Sequence, residues 1–466
     1  MAPLGALLPE LVAPPPGPTS RRWVERLSRV ECPAITARRD RRRQEAGGED
    51  PIVWREARGA NVVDVDGNRF VDLTAAFGVA SVGHAHPKVV EAIRNQSERL
   101  IHGMGDLYPT QEKVLLGEAL AAWTPGDLQQ SLFGLNGSDA VEAAIKTALI
   151  ATGRRRVLAL DGSYHGMSLG ALSVSGYRSA FRAPFSSWTR QELRLPFPHC
   201  ADCPLGHHPD TCGSACVAYV ERVLSDDAGG GEDVAAILVE PLQARGGLRT
   251  PPAGWLASMR QLCYRHGVLL IVDEIYTGLG RTGAPFVCAE EGVVPDLLVV
   301  GKSLGGGVPI SACVGRPEVM EAWGASRGEA IHTSTFLGHP LGAAAALATL
   351  AVVEQEGLVE RSRTLGAWWA RELREAFADL PNVREVRGRG LMLGVALQRP
   401  DGALWRGGGV AAMQGLLQRG FLVAPAGIEG EVISLSPPLV VTEAQLRAAT
   451  DALLQWLSER AAGVGA

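Results

Sequence analysis

The chain has no apolar run long enough to cross a bilayer. Its longest apolar-rich segment, Leu341 to Val353, is broken by Gly342 and Thr349 and falls short of the roughly 18 residues that a spanning helix needs. No basic residue precedes the apolar patch in MAPLGALLPELVAPPPGPTS, and prolines stand in and after it, so a secretory leader is not expected there. Positive charge is not in excess: 45 Lys and Arg face 50 Asp and Glu, for a net charge of -5. That balance argues against a nucleic-acid-binding surface over the whole molecule and leaves a small-molecule partner as the expectation. Charged residues make up 20% and hydrophobic residues 46%, which excludes a disordered or coiled-coil chain. The eight cysteines are thinly spread except for one cluster, which points to a reducing, cytoplasmic setting. Glycine is what the chain has in abundance, with 56 Gly beside 29 Pro and no collagen-like period. Such density asks for tight turns or for backbone that approaches a ligand closely.

A length of 466 residues suggests about three domains or two large ones. Residues 1–50 read as an N-terminal arm, with Pro14, Pro15, Pro16 and Pro18 ahead of the basic run Arg38, Arg39, Arg41, Arg42 and Arg43. Asp40, Glu45, Glu49 and Asp50 lie in or beside that run, which reads as a solvated segment more than as an anion or nucleic-acid contact. Residues 51–100 form the first part of a small domain, in which NVVDVDGNRFVDL predicts a hairpin turning at Asp66-Gly67. Within 101–335 the runs RRVLAL (155–160), VAAILVE (234–240), GVLLIVDE (267–274) and PDLLVVGK (295–302) are short and apolar throughout, as strands covered on both faces are. Helical stretches such as DAVEAAIKTALIATG alternate with them, giving a large α/β domain with a mainly parallel sheet. Residues 336–466 add REVRGRGLMLGVAL, GEVISLSPPLVV and an amphipathic tail helix, the rest of a smaller α+β domain.

In open parallel sheets, ligands bind beyond the carboxyl ends of the strands. After the four runs come Tyr164-His165-Gly166, Glu240-Pro241, Asp273-Glu274 and Gly301-Lys302-Ser303. Singly, each has an ordinary reading as a helix cap or a surface charge. Their coincidence at one edge carries the functional reading. Two nucleotide-like patterns are set aside. Gly278-x-Gly280-x-x-Gly283 is followed by Pro285 instead of an opening helix, and Gly301-Lys302-Ser303 has Asp296 where a P-loop needs its first glycine. Leu135-Asn136-Gly137-Ser138, just before a predicted helix, reads either as a phosphate cradle or as a plain helix cap.

The set GHAHP (83–87), NGSDAVEAAIKTA (136–148), SYHG (163–166), VEPLQARGG (239–247), DEIYTGLGRTG (273–283), GKSLGGGVPIS (301–311) and STFLGHP (334–340) resembles the class III, or omega, aminotransferases. The likeness runs in order over about residues 50 to 455. It implies a fold-type-I transferase that depends on pyridoxal 5′-phosphate and moves an amino group from an amine or amino acid to a keto acid. In that family Lys302 would form the internal aldimine and then act as general base. Asp273 would pair with the ring nitrogen. Tyr164 and Ile275 would cover the two ring faces, with His165, Glu240 and Tyr276 alongside. Gly137 and Ser138 would hold the phosphate, joined by Thr335 of the neighbouring subunit, so a homodimer with shared active sites is implied.

Relatives that take ornithine-like donors carry a switchable Arg–Glu pair at the positions of Ser434 and Arg245, and a Tyr at the position of Phe77. Both members of the pair are changed here, so the cation for a substrate carboxylate is expected from Arg245 instead. Phe77 cannot hydrogen-bond a distal amine, which disfavours ornithine. An amino-acid racemase or epimerase on the same scaffold is the alternative activity. A cofactor-binding regulator would need a DNA-binding module, for which the sequence has no candidate. Cys200, Cys203, Cys212 and Cys216, with His199, His207 and His208 nearby, leave open a zinc site, reduced thiols or a disulfide; no metal is assigned to the active site.

Overall fold

The computed structural model describes residues 4–35, 51–190, 193–325 and 328–463, so the basic run Arg38 to Arg43 lies outside the described residues. Its first strands are β1 (Trp54–Arg58), β2 (Asn61–Asp64) and β3 (Arg69–Asp72). Then come β4 (Gln130–Gly134), β5 (Arg156–Leu160), β6 (Arg194–Leu195), β7 (Val234–Val239), β8 (Leu269–Asp273), β9 (Leu297–Val300) and β10 (Ser311–Gly315). The last are β11 (Val383–Arg389), β12 (Met392–Leu397), β13 (Phe421–Leu422), β14 (Ala424–Ala426) and β15 (Val432–Leu435).

The chain divides into two units, one of Met1–His86 with Glu360–Ala466 and one of Pro87–Val359. The sequence-based boundaries at 100/101 and 335/336 fall elsewhere because helix Pro87–Arg99 packs against helix Pro340–Gln355, and both belong to the second unit. That second helix is the apolar-rich segment noted above; it is buried among its neighbours. Among the described residues no single helix is long and apolar enough to cross a membrane.

The second unit is built on a seven-stranded sheet in the order β4-β10-β9-β8-β7-β5-β6. β9, β8, β7, β5 and β6 pair in parallel, while β10 runs antiparallel to both β9 and β4. The alternation of side chains along each strand sorts the four apolar runs onto two cores. Leu158, Leu160, Ile237, Val239, Leu270, Val272, Leu298 and Val300 face one, with helix Trp255–His266. Val157, Ala159, Ala236, Leu238, Ile271, Leu297 and Val299 face the other, with helix Gly137–Thr152. Coverage of both faces explains why these strands are apolar throughout instead of alternating.

In the first unit, β2 and β3 form the predicted hairpin and lie in a four-stranded sheet ordered β1-β2-β3-β13. A second sheet, β11-β12-β15-β14, packs with helix Gly408–Leu417. The tail helix runs Glu443–Gly463, where Thr450 Oγ1 accepts the indole N–H of fully buried Trp369 at 3.0 Å. Residues 5–28 are not a free arm. Asn61 Oδ1 accepts the amides of Gly5 and Leu7, Asn68 Oδ1 those of Val12 and Ala13, and Asp66 those of Thr19 and Ser20 at the start of helix Pro18–Ser28.

Candidate active site

Parallel pairing of β5, β7, β8 and β9 brings their carboxyl ends to one edge of the sheet, and the segments leaving that edge line a pocket within the second unit. Lys302 enters it two residues past β9 in left-handed backbone, φ 44°. For a side chain with a Cβ this conformation costs about 1–3 kcal/mol and persists only where the surroundings enforce it. Its Nζ stands 3.7 Å from the centre of the Tyr276 ring. Desolvation brings the ammonium down to about 8, against the pull of Asp273 and Glu240 and with a further push from Arg245.

The last residue of β8, Asp273, is buried, and its Oδ2 meets buried His165 Nδ1 at 2.7 Å while its Oδ1 accepts the Ile275 amide at 3.0 Å. His165 is itself fixed by its backbone N–H, which donates to Ser175 Oγ at 3.0 Å. With Nδ1–H committed to a carboxylate, Nε2 is left as the free ring position, and it is buried without a hydrogen-bond partner. Glu240, one residue past β7, accepts the Tyr164 amide on Oε1 at 2.9 Å and the Ala244 amide on Oε2 at 3.2 Å. Burial raises its carboxyl to about 7, His165 opposing and Asp273 assisting. Glu240 therefore ties together the two loops that carry Tyr164 and Arg245.

Gly137 and Ser138 open helix Gly137–Thr152, whose N-terminus is held by a reciprocal Asn136–Asp139 capping box. A Cβ on Gly137 would stand 2.9 Å from Ile275 Cδ1, and one on Gly166, at φ 127°, would stand 2.1 Å from Ser138 Oγ. These glycines bring backbone to the cradle where a side chain would fill it.

The arrangement fits the pyridoxal 5′-phosphate that the resemblance implies. A helix N-terminus with glycine at close approach suits the phosphate, a buried carboxylate oriented by a histidine suits a protonated ring nitrogen, and an enclosed lysine of lowered pKa suits attachment of an aldehyde. Tyr164, Ile275 and Tyr276 line the same pocket as Gly137, Ser138, His165, Glu240, Arg245, Asp273 and Lys302.

Thr335, expected from the partner subunit, is exposed and does not line the pocket of its own chain. Phe77 and Ser434 belong to the first unit, where Phe77 is exposed with φ 62° and Ser434 pairs within a sheet. One further residue, Tyr177, belongs to no motif in the sequence, yet its ring centre stands 5.3 Å from the guanidinium of Arg245. It reaches the site because its amide donates to Ser163 O and the Gly176 amide to Ser163 Oγ, folding residues 163–177 back on themselves. Among the described residues no group of three or more His, Cys, Asp or Glu is placed to hold a metal, and Cys200, Cys203, Cys212 and Cys216 are free thiols.

The sequence profile of the family Aminotransferase class-III matches residues 44–457. An acetylornithine aminotransferase of Methanosarcina mazei is 37% identical over 411 residues, 88% of this chain and 92% of the relative. A leucine/methionine racemase of Thermococcus litoralis is 36% identical over 405 residues, 86% and 90% of the two chains. Among solved structures, an amine transaminase from an uncultivated Pseudomonas species in its PLP-bound (internal aldimine) form superposes with a TM-score of 0.80 at 30% identity, covering 88% of this chain and 95% of that one.

Proposed function

The chain belongs to the class-III aminotransferase family, and from that premise we propose that its pyridoxal-phosphate-dependent transamination runs on Lys302, with Asp273 as the second catalytic group. The observation that carries this assignment is the enclosed Lys302 amine, set among Asp273, Glu240 and Tyr276 at the carboxyl edge of the sheet. When bound, the cofactor supplies an electron sink for the carbanion formed at the substrate carbon. Lys302 Nζ would be the nucleophile that holds the cofactor and the base that moves the proton at the substrate carbon. A pKa near 8 leaves a useful neutral fraction of the amine at physiological pH.

Asp273, held by His165, keeps the ring nitrogen protonated. The amides of Gly137 and Ser138 would hold the phosphate, and Tyr164, Ile275 and Tyr276, which line the same pocket, would enclose the ring and the amine. Thr335 of the partner subunit completes the phosphate site in a homodimer. The surface supports that assembly: Ile101, Met104, Leu107, Tyr108, Ile331 and Phe336 are exposed apolar side chains, and the two segments that carry them are joined by the Thr333–Asp106 hydrogen bond and the His102–Phe336 ring contact. A shared apolar face of this kind is what an isologous interface uses. The expected setting is cytoplasmic.

Racemisation needs a second acid–base group beside the lysine. The other carboxylates lining the pocket already hold partners, Asp273 in His165 and the Ile275 amide, Glu240 in two amides. Transamination is the reading that the family match and the acetylornithine aminotransferase relatives favour. The test is reduction of the loaded enzyme with borohydride followed by peptide mapping, which should place the cofactor on Lys302, and loss of both loading and amino transfer in Lys302→Ala. An L-amino acid incubated without keto acid should bleach the bound cofactor once and keep its configuration; sustained racemisation would overturn the reading.

A further inference from the structure

Arg245 is the unsatisfied charge of the pocket. It sits on the turn after β7, and that turn is fixed on both sides. Gln243 and Arg249 exchange backbone hydrogen bonds, Gln243 Nε2 donates to Asp161 O at 2.7 Å, and the Ala244 amide is held by Glu240. A Cβ on Gly246 would stand 2.8 Å from Gly162 O, so the turn lies directly against the loop after β5. The guanidinium is clasped between two aromatic rings, 5.1 Å from the centre of Tyr164 and 5.3 Å from that of Tyr177. Its Nε is buried with no hydrogen-bond partner, and among the described residues no carboxylate pairs with it. A guanidinium has five donors in a rigid fork; here the residue is half-buried, and the Nε donor is withdrawn from water without an anion to meet it. Ring faces offset part of that cost but leave the Nε donor unmet. The pocket's own acids do not meet it, since each is engaged elsewhere.

We propose that Arg245 is the substrate-carboxylate anchor of this enzyme, which makes its substrates amino and keto acids in preference to simple amines. The inference rests on the aminotransferase reading above. The anchor comes from a rigid turn that Glu240 also ties to Tyr164, so it is preorganised beside the reacting lysine and needs no ion pair to open before a carboxylate enters. At the position where ornithine-type relatives carry an arginine, Ser434 offers a hydroxyl and no charge. Two placements share this chemistry, a carboxylate on the reacting carbon and one at the far end of the substrate.

The experiment uses the loaded holoenzyme as wild type, Arg245→Ala and Arg245→Lys, with cofactor content per subunit measured first by visible absorbance. Dissociation constants for the unreactive carboxylates propionate and glutarate are read from the cofactor spectrum. KM and kcat are measured for pyruvate, succinic semialdehyde and 2-oxoglutarate. Loss of a charge-assisted pair predicts a rise of about 10- to 100-fold in Kd and KM for Arg245→Ala, with partial recovery in Arg245→Lys, which keeps the charge but loses the fork. A rise confined to pyruvate and 2-oxoglutarate places the carboxylate on the reacting carbon; a rise confined to succinic semialdehyde and 2-oxoglutarate places it at the far end. Loaded Arg245→Ala with wild-type constants for all of these compounds would overturn the proposal. Failure of wild type itself to load cofactor would instead strike the underlying reading.

Discussion

Replacing Lys302 by methionine in the cofactor-free protein should stabilise it at neutral pH, by an amount that disappears as the pH rises. Desolvation brings the Lys302 ammonium from its ordinary 10.5 down to about 8. Its folded value therefore lies below its unfolded value, and between these two pH values the unfolded chain holds a proton that the folded chain has released. In that window wild-type stability climbs with pH; below it both states are protonated and the full penalty of enclosing the charge applies. At about 1.4 kcal/mol per tenfold, the penalty is at most about 3.5 kcal/mol. Water in the open pocket reduces it, so a gain of about 1–3 kcal/mol is expected for Lys302→Met near pH 7. The value of about 8 already includes the favourable pull of Asp273 and Glu240. The assay is differential scanning calorimetry of both cofactor-free proteins between about pH 6.5 and 10, read as variant minus wild type so that nearly all other titrations cancel. A difference that stays constant with pH, or a variant less stable than wild type at pH 7, would refute the reasoning.

Glu240→Gln tests the neighbouring group with the opposite sign. A carboxyl raised to about 7 keeps a proton in the folded state that the unfolded chain has already released, so wild-type stability falls as pH rises from about 4.5 to 7; melting curves of the variant should show a flatter profile there. One of its two amide acceptors is also lost, at a cost of about 1–2 kcal/mol. Gly166→Ala puts a methyl 2.1 Å from Ser138 Oγ in backbone that favours glycine, and should weaken cofactor binding at least about tenfold, measured by spectroscopic titration. His165→Ala leaves the buried Asp273 carboxylate without its ring partner, and should shift the pH dependence of the cofactor spectrum while the Lys302 attachment survives borohydride reduction. Ile331→Asp paired with Phe336→Arg should yield monomers by light scattering if the exposed face is the interface.

What could be read without coordinates follows a physical pattern. β5, β7, β8 and β9 were legible because covering both sheet faces forces unbroken apolar runs, and the residues after them, from Tyr164 to Lys302, could then be assigned to one edge. β4 and β10 were not, since QSLFG and SACVG are short and rich in small or polar residues, and nothing local announces the antiparallel edge they form. The clasp of residues 5–28 escaped for a related reason: Asn61, Asp66 and Asn68 hold backbone amides through single side chains, which leaves no periodicity. Domain limits were misplaced because helix-on-helix packing between 87–99 and 340–355 joins segments far apart in sequence.

Arg245 shows where pattern reading stops. Its type and position were enough to suggest a cation for a carboxylate, but an exposed or ion-paired arginine would read the same. The aromatic clasp and the unpartnered Nε are properties of two loops brought together, 163–177 and 240–249. A guanidinium with an acid beside it would be a structural strut; one clasped between two rings, next to a lysine whose own charge it disfavours, is poised for an anion that the substrate must bring.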